Sequence, residues 1–253
     1  MFSIAHLKAG LNTEFLGQEV KYLEKIGSTN DESWESFYNG APAGSLIITD
    51  NQFEGRGRRQ SKWASIPGKS LTFSFLLLPE IPLEKLGLLP LLAGVSIVKG
   101  IKTITSLSTG LKWPNDIIIS NKKMGGILIE SHMEGEKLGV VVGIGLNINE
   151  SENDFVEEIQ KEATSLFIDS GKEYNLELIL SSILNEFENL YLYNWHNIIS
   201  MWETYCIHQN NKVTFHNNNK YIQGTFLGIT ELGYAKIQLN KKTEIFSSGM
   251  VSL

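Results

Sequence analysis

The stretch from Leu138 to Asn149, Leu-Gly-Val-Val-Val-Gly-Ile-Gly-Leu-Asn-Ile-Asn, constrains the fold more than any other part of the chain. On a strand, successive side chains point to opposite faces. Val140, Val142, Ile144, Leu146 and Ile148 then share one face, and Val141, Gly143, Gly145, Asn147 and Asn149 share the other. The first face needs a layer of helices over it. The second is bare of large side chains and ends in amides. Glycine inside a strand costs stability and marks a close approach of something to the backbone. The approaching group is either a flat ligand lying on the sheet or a second packed helix.

Other segments extend this layered pattern. Tyr22–Ile26, Leu46–Thr49 and Leu71–Leu78 read as strands, and Ile117–Ile119 with Met124–Glu130 as a hairpin turning at Ser120-Asn121. Gly125-Gly126 marks a bulge or a close backbone approach. Leu83–Ile104 reads as a core helix kinked at Pro90. Leu176, Ile179, Leu180, Ile183, Leu184, Phe187, Leu190 and Tyr191 keep helical spacing. A turn or short helix is expected around Ala163–Leu166 and a short helix around Met201, Trp202 and Tyr205, whereas residues 1–20 are weakly patterned. Beyond Cys206 come short β runs, Val213–Phe215, Tyr221–Ile229, Tyr234–Leu239 and Thr243–Phe246, separated by Asn217-Asn218-Asn219, Gly233 and Asn240-Lys241-Lys242. The prediction is an α+β chain: a mixed, largely antiparallel sheet with helices on one side and the ligand on the other. Residues 1–207 form that unit, and residues 208–253 a small β-barrel.

The chemistry is concentrated between Gln52 and Trp63, which holds every arginine in the protein: Arg56, Arg58 and Arg59. Elsewhere the basic residues are lysine. Arginine kept at one place points to planar, bidentate hydrogen bonding to phosphate or carboxylate. Gly55 and Gly57 interleave with the arginines, giving a backbone that can take positive φ and lie close to a ligand. A solvated basic turn would explain the charge but not the gathering of all arginine.

Two further stretches carry candidate residues. Ser28, Thr29 and Asn30 precede the acids Asp31 and Glu32, so they either cap a helix running to about Phe37 or offer polar groups to a ligand at its positive end. In Gly110–Asp116, Lys112 alternates with Leu111 and Trp113 and faces away from both. A lysine on a sheet's ligand face is costly unless an anion meets it; an exposed edge strand is the alternative.

Composition excludes several functions. A net charge of −6 on 253 residues, with no basic face outside the arginine loop, argues against nucleic-acid binding. The single cysteine, Cys206, excludes internal disulfides and Cys-rich metal sites, suits a cytoplasmic location, and reads as a packed, inert thiol. Five scattered histidines offer no metal pair, so no protein-held metal is expected. No Walker loop, dinucleotide fingerprint or Gly-x-Ser-x-Gly elbow is present. The N-terminus lacks signal-peptide character, and no uninterrupted apolar run reaches membrane-spanning length.

Taken in order, Ser28-Thr29-Asn30, Gln52 with Gly55-Arg56-Gly57-Arg58-Arg59, Trp63, Lys112-Trp113-Pro114-Asn115-Asp116, Lys123-Met124-Gly125-Gly126-Ile127-Leu128 and Gly143-Ile144-Gly145-Leu146-Asn147-Ile148-Asn149 resemble the biotin protein ligases. The likeness covers roughly residues 22–150, and the tail resembles that family's SH3-like C-terminal domain. It implies a class II synthetase-like catalytic fold, ATP and Mg²⁺ as cofactors, biotin as substrate and a biotin carboxyl carrier domain as partner. The implied reaction forms biotinyl-5′-adenylate and then transfers biotin to a lysine. Ser28, Thr29, Asn30, Gln52, Arg56, Gly57, Arg58, Lys112, Gly125 and Gly126 would bind biotin. Arg56, Arg58, Trp63, Lys112 and Asn147 would bind the nucleotide, with Lys112 and Arg58 catalytic. Two departures stand out. Gln60-Ser61 replaces a Gly-Arg or similar pair of many members, removing a second arginine for the nucleotide. The chain also starts about where the ligase core starts, so a repressor role is not expected. An exposed sheet edge could pair two copies into a homodimer.

Overall fold

The computed structural model describes residues 2–217, 220–240 and 242–252. The expected separators Asn218, Asn219 and Lys241 lie outside the described residues. Its centre is a seven-stranded sheet of β1 (Val20–Ile26), β2 (Leu46–Gln52), β3 (Ser70–Leu77), β4 (Gly110–Lys112), β5 (Asp116–Ile119), β6 (Lys122–Glu134) and β7 (Lys137–Asn147). The spatial order is β1-β2-β3-β7-β6-β5-β4; only β1 and β2 run parallel. β7, the strand with two distinct faces, lies in the middle, paired to β3 and β6 along its length.

The faces of β7 divide as the alternation predicts. Val140, Val142, Ile144 and Leu146 join the main core with α3 (Leu89–Ile104) and α5 (Leu176–Tyr193), which pack on each other. Gly100 makes that packing possible: a β-carbon there would sit 2.9 Å from the backbone of Ile183. On the opposite face α2 (Thr29–Tyr38) sets Phe37 against Leu76 and Val141. The expected division, helices on one side and ligand on the other, therefore needs correction: α2 shares the ligand side.

Two other expectations change. Leu83–Leu88 is a 3₁₀ segment, and α3 starts at Leu89 with Pro90 in its first turn. Proline has no N–H to donate, and in the first turn none is needed, so Pro90 begins a helix rather than kinking one. Leu83–Ile104 is, among the described residues, the one stretch long and apolar enough to cross a membrane, yet most of it is core. Residues 4–10 form α1, capped by Ser3, which the weak patterning did not suggest; Leu7 is its single buried residue. The hairpin turn is at Ser120-Asn121, both with positive φ, the geometry that two-residue turns favour.

α4 (Leu166–Ser170), capped by Ser165, and α6 (Ile198–Tyr205) precede a five-stranded antiparallel sheet. It comprises β8 (Lys212–Asn217), β9 (Lys220–Ile229), β10 (Ala235–Leu239), β11 (Lys242–Phe246) and β12 (Met250–Ser252), in the order β11-β10-β9-β8-β12. One cluster of buried apolar residues runs from Leu7 to Val251 through both sheets. Trp113 is the principal joint: its ring lies 5.8 Å from Phe215, and its Nε1 donates to the Gly233 carbonyl at 3.0 Å. Burial pushes the Cys206 thiol up to about 11, in keeping with an inert packed cysteine.

Candidate active site

A cavity of about 460 Å³ lies on the α2 side of the sheet, between the arginine loop, β4–β6 and the last strand β12. Ser28, Thr29, Asn30, Gln52, Arg56, Gly57, Arg58, Trp63, Lys112 and Gly126 all line it. Segments from four parts of the chain therefore converge, as their residue types suggested.

At one end stands the first turn of α2. Ser28 occupies the N-cap position, but its side chain makes no capping hydrogen bond. The cap reading of this motif is thus only partly right, since backbone geometry starts the helix and the hydroxyl is left for the cavity. The Oε1 of Gln52 accepts from Thr29 N at 2.8 Å and Thr29 Oγ1 at 3.2 Å, and Gln52 N donates to Ser65 Oγ at 2.7 Å. Asn30 Nδ2 donates to Glu130 Oε2 at 2.8 Å, and Ser74 Oγ lies 2.7 Å from Asn30 Oδ1 and 2.6 Å from Thr29 Oγ1. Trp34 Nε1 also donates to Glu130, at 3.3 Å. Glu130 and Ser74 thus fix this cluster, and neither stood out in the sequence.

The arginine loop is a narrow hairpin. Trp63 N donates to the Gly55 carbonyl at 2.9 Å, Gly57 N to Ser61 O at 2.7 Å, and Arg56 bridges to Lys62. Neither Gly55 nor Gly57 uses the positive φ open to glycine; Arg59 takes it instead, at 53°. Gly55 is needed for another reason: a β-carbon would meet the Trp63 carbonyl oxygen at 2.3 Å. Arg56 points its fork at both oxygens of Asp31, and that hydrogen bonding raises its pKa further. Arg58 is half-buried, with Nη1 at 3.3 Å from Asn115 Oδ1 and 3.5 Å from Gly249 O. Burial, followed by repulsion from Arg59, lowers its pKa from the usual arginine value.

Lys112 lies on β4, the edge strand of the sheet, as the alternative supposed, but it is half-buried and lines the cavity while Leu111 and Trp113 are buried. Its Nζ lies 3.3 Å from Asp116 Oδ2, and Lys123 Nζ lies 2.6 Å from Asp116 Oδ1. The bare face of β7 receives protein side chains. A β-carbon on Gly143 would lie 2.1 Å from Asn30 Oδ1, and one on Gly145 2.3 Å from the Trp63 ring. The glycines are thus the seats of two site residues, which reconciles the packing and ligand readings.

Two expected residues stand apart. Gly125 faces the core, where a β-carbon would meet Leu146 at 2.5 Å. Asn147 is buried and donates to the Thr164 carbonyl at 3.0 Å, off the cavity lining. The lining as a whole carries six cationic side chains and one carboxylate, Asp116, on a chain of net charge −6. Among the described residues no group of three His, Cys, Asp or Glu side chains could hold a metal ion.

Comparison with known proteins agrees with this arrangement. The model of the biotin/lipoate A/B protein ligase family matches residues 22–147. The bifunctional ligase/repressor BirA of Bacillus subtilis (strain 168) is 35% identical over 256 residues, covering 99% of this chain and 79% of that protein. The structure of biotin protein ligase from Aquifex aeolicus in complex with biotin and ATP superposes with a TM-score of 0.79 at 30% identity. That match covers 93% of this chain and 98% of the other. The Helicobacter pylori biotin acetyl coenzyme A carboxylase synthetase with bound biotinylated ATP gives 0.66 at 25% identity, covering 90% and 99%. With the sequence alike from end to end and the fold shared, this chain is a member of the biotin protein ligases, within the biotin/lipoate A/B protein ligase family.

Proposed function

We propose that the protein uses ATP to attach biotin to one lysine of a biotin carboxyl carrier domain, by way of biotinyl-5′-adenylate. The observation that carries this reading is the gradient within one cavity. Neutral amides and hydroxyls stand at the α2 end, where the one cation, Arg56, is already paired with Asp31. The lining carries five further cations, Arg58, Arg59, Lys62, Lys112 and Lys123, against the single carboxylate Asp116. Biotin joins a neutral ureido ring to a carboxylate, and ATP brings a polyanion; together they match both halves.

Ser28 Oγ and Gln52 Nε2 have no protein hydrogen-bond partner among the described residues and face the cavity, which suits them to the ureido group. Thr29 and Asn30, already held by Gln52, Ser74 and Glu130, shape that end. In the first step the biotin carboxylate oxygen attacks the α-phosphorus of ATP, the bond to the bridging oxygen breaks, and pyrophosphate leaves with the electron pair. Lys112 would stand where negative charge gathers, as a preorganised cation whose effect is greatest in the transition state. Trp63, seated on Gly145, would flank the nucleotide. Arg58 would cover the adenylate, and its ties to Asn115 and Gly249 would help keep water from the anhydride. In the second step the carrier lysine's amine attacks the acyl carbon and AMP departs. Mg²⁺ would neutralise phosphate charge; with Asp116 the single lining carboxylate, it would be held mainly by ATP's own oxygens. Residues 1–207 would carry this chemistry, with residues 208–253 as an SH3-like unit supplying Met250, Val251 and Ser252 to the rim.

The test is pyrophosphate release from ATP and Mg²⁺ with biotin or with lipoate. Release with biotin alone supports the proposal. Release with lipoate alone, or with neither in folded protein, overturns it.

A further inference from the structure

Lys123 is aimed by an irregularity in its strand. In β6, Gly125 pairs with Ile117 but Lys123 pairs with Ile118, so Met124 is an extra, bulged residue. On a regular strand Lys123 would share the core-facing side with Gly125. The bulge re-aims it. Met124 is buried in the core, while the Lys123 Cε and Nζ come to 3.5 Å from where a β-carbon on Gly126 would stand, above the cavity. The backbone is pinned in that state: Lys123 N donates to Glu162 O at 2.7 Å and Lys123 O accepts from Thr164 N at 2.9 Å.

The position along the cavity is also defined. Gly126 pairs with Gly145, the seat of Trp63, whereas Asn30 sits on Gly143, opposite Leu128. Lys123 therefore stands at the end away from the Ser28–Asn30 cluster. It shares Asp116 with Lys112, one ammonium on each carboxylate oxygen. One negative charge between two cations keeps both near each other without full neutralisation, a wall suited to a chain of phosphates.

We propose that Lys123 binds the pyrophosphate portion of ATP, and that Asp116 is the positioning residue that holds Lys112 and Lys123 in register for it. The inference rests on the reaction proposed above. As the bond between the α-phosphorus and the bridging oxygen breaks, charge moves onto the departing pyrophosphate, and Lys123 meets it there; no proton transfer is needed.

The experiment measures pyrophosphate binding by calorimetry together with biotin-dependent exchange of pyrophosphate into ATP. Loss of one charge-assisted contact predicts that Lys123→Met weakens pyrophosphate binding and raises KM for ATP by about tenfold or more. Biotin affinity stays within about twofold, and Lys123→Arg regains most of the loss. Asp116→Asn lowers kcat by about tenfold with KM for biotin little changed, a split that general loosening of the fold would not give. The Lys123 side chain is 43% exposed, so the variants should fold, and retained biotin binding verifies it. A biotin-binding Lys123→Met with unchanged pyrophosphate affinity and ATP KM overturns the inference. Absence of exchange in the wild type would instead count against the proposed reaction, and the calorimetric arm would still decide Lys123.

Discussion

Asn30 donates its side-chain amide to Glu130 across 2.8 Å, tying the first turn of α2 to a strand a hundred residues later. The same carboxylate accepts from Trp34 and faces Arg56 Nη2 at 3.8 Å. One group thereby orients a residue of the neutral end of the cavity and a residue of its cationic end. Glu130→Ala frees the Asn30 amide to rotate. Losing a hydrogen bond to a charged group costs about 1.5–3 kcal/mol. The expected outcome is a rise of about tenfold or more in KM for biotin, with a smaller rise in KM for ATP through the weaker contact to Arg56. Steady-state kinetics with each substrate varied would check this; equal effects on both would show that Glu130 serves only the fold.

Lys112 gives the opposite signature. Its ammonium stands apart from the Ser28–Asn30 cluster, so Lys112→Ala should leave biotin binding largely intact. Removal of a preorganised charge at the reacting centre typically costs about a hundredfold in turnover. Adenylate formation under single-turnover conditions is the measurement, with biotin calorimetry alongside. Unchanged turnover would remove Lys112 from the catalytic role.

How far the sequence disclosed this site depends on whether its determinants were local. The two faces of β7 and the helix at Leu176–Tyr193 were legible because period-2 and period-3.6 patterns survive in any context. The arginine loop was legible because all the arginine is gathered there, and Ser28-Thr29-Asn30 because cap-forming residues mark a helix start, although only the fold shows that the Ser28 hydroxyl does not cap. Glu130, Ser74 and Lys123 were not, since their roles arise from contacts across the sheet. Gly125 and Gly126 show the limit most clearly. Adjacent glycines on a strand face opposite ways, and only the register against β7, which sets Gly125 opposite Leu146 and Gly126 opposite Gly145, decides which one sees the cavity. α1 left no trace because one buried leucine makes no period.

Glu150, just past β7, links the two sides of the sheet's end. Ser70 Oγ donates to its Oε1 at 2.5 Å, Ser165 Oγ donates to its carbonyl at 2.6 Å, and its Oε2 is buried with no partner. Burial raises its pKa from 4.5 to about 7, against the lowering effect of Ser70. The folded state therefore holds this proton more tightly than the unfolded chain does. Its stabilising contribution is complete below pH 4.5 and is lost as pH rises to about 7. Glu150→Gln removes the buried charge and should stabilise the protein by about 2–3 kcal/mol at pH 8 but little at pH 5. Thermal melts at the two pH values decide it. An equal change at both would mean that burial does not raise the Glu150 pKa above its ordinary value.

Gly143 and Gly145 are two residues apart on one face of β7, yet each seats a different site residue. A β-carbon on Gly143 displaces Asn30, and one on Gly145 displaces the Trp63 ring. Neither change touches the core-facing side, where Val142, Ile144 and Leu146 pack. Gly143→Ala should therefore raise KM for biotin, and Gly145→Ala should raise KM for ATP, each by about tenfold, with smaller effects on the other substrate. The displaced groups lie at 2.1 and 2.3 Å from the added carbon, closer than any relaxed contact, so neither variant can keep its neighbour in place. A crossed result, with both variants weakening both substrates alike, would mean that the sheet floor moves as one unit. A separated result would show that a single strand assigns the two substrates their places, two residues apart.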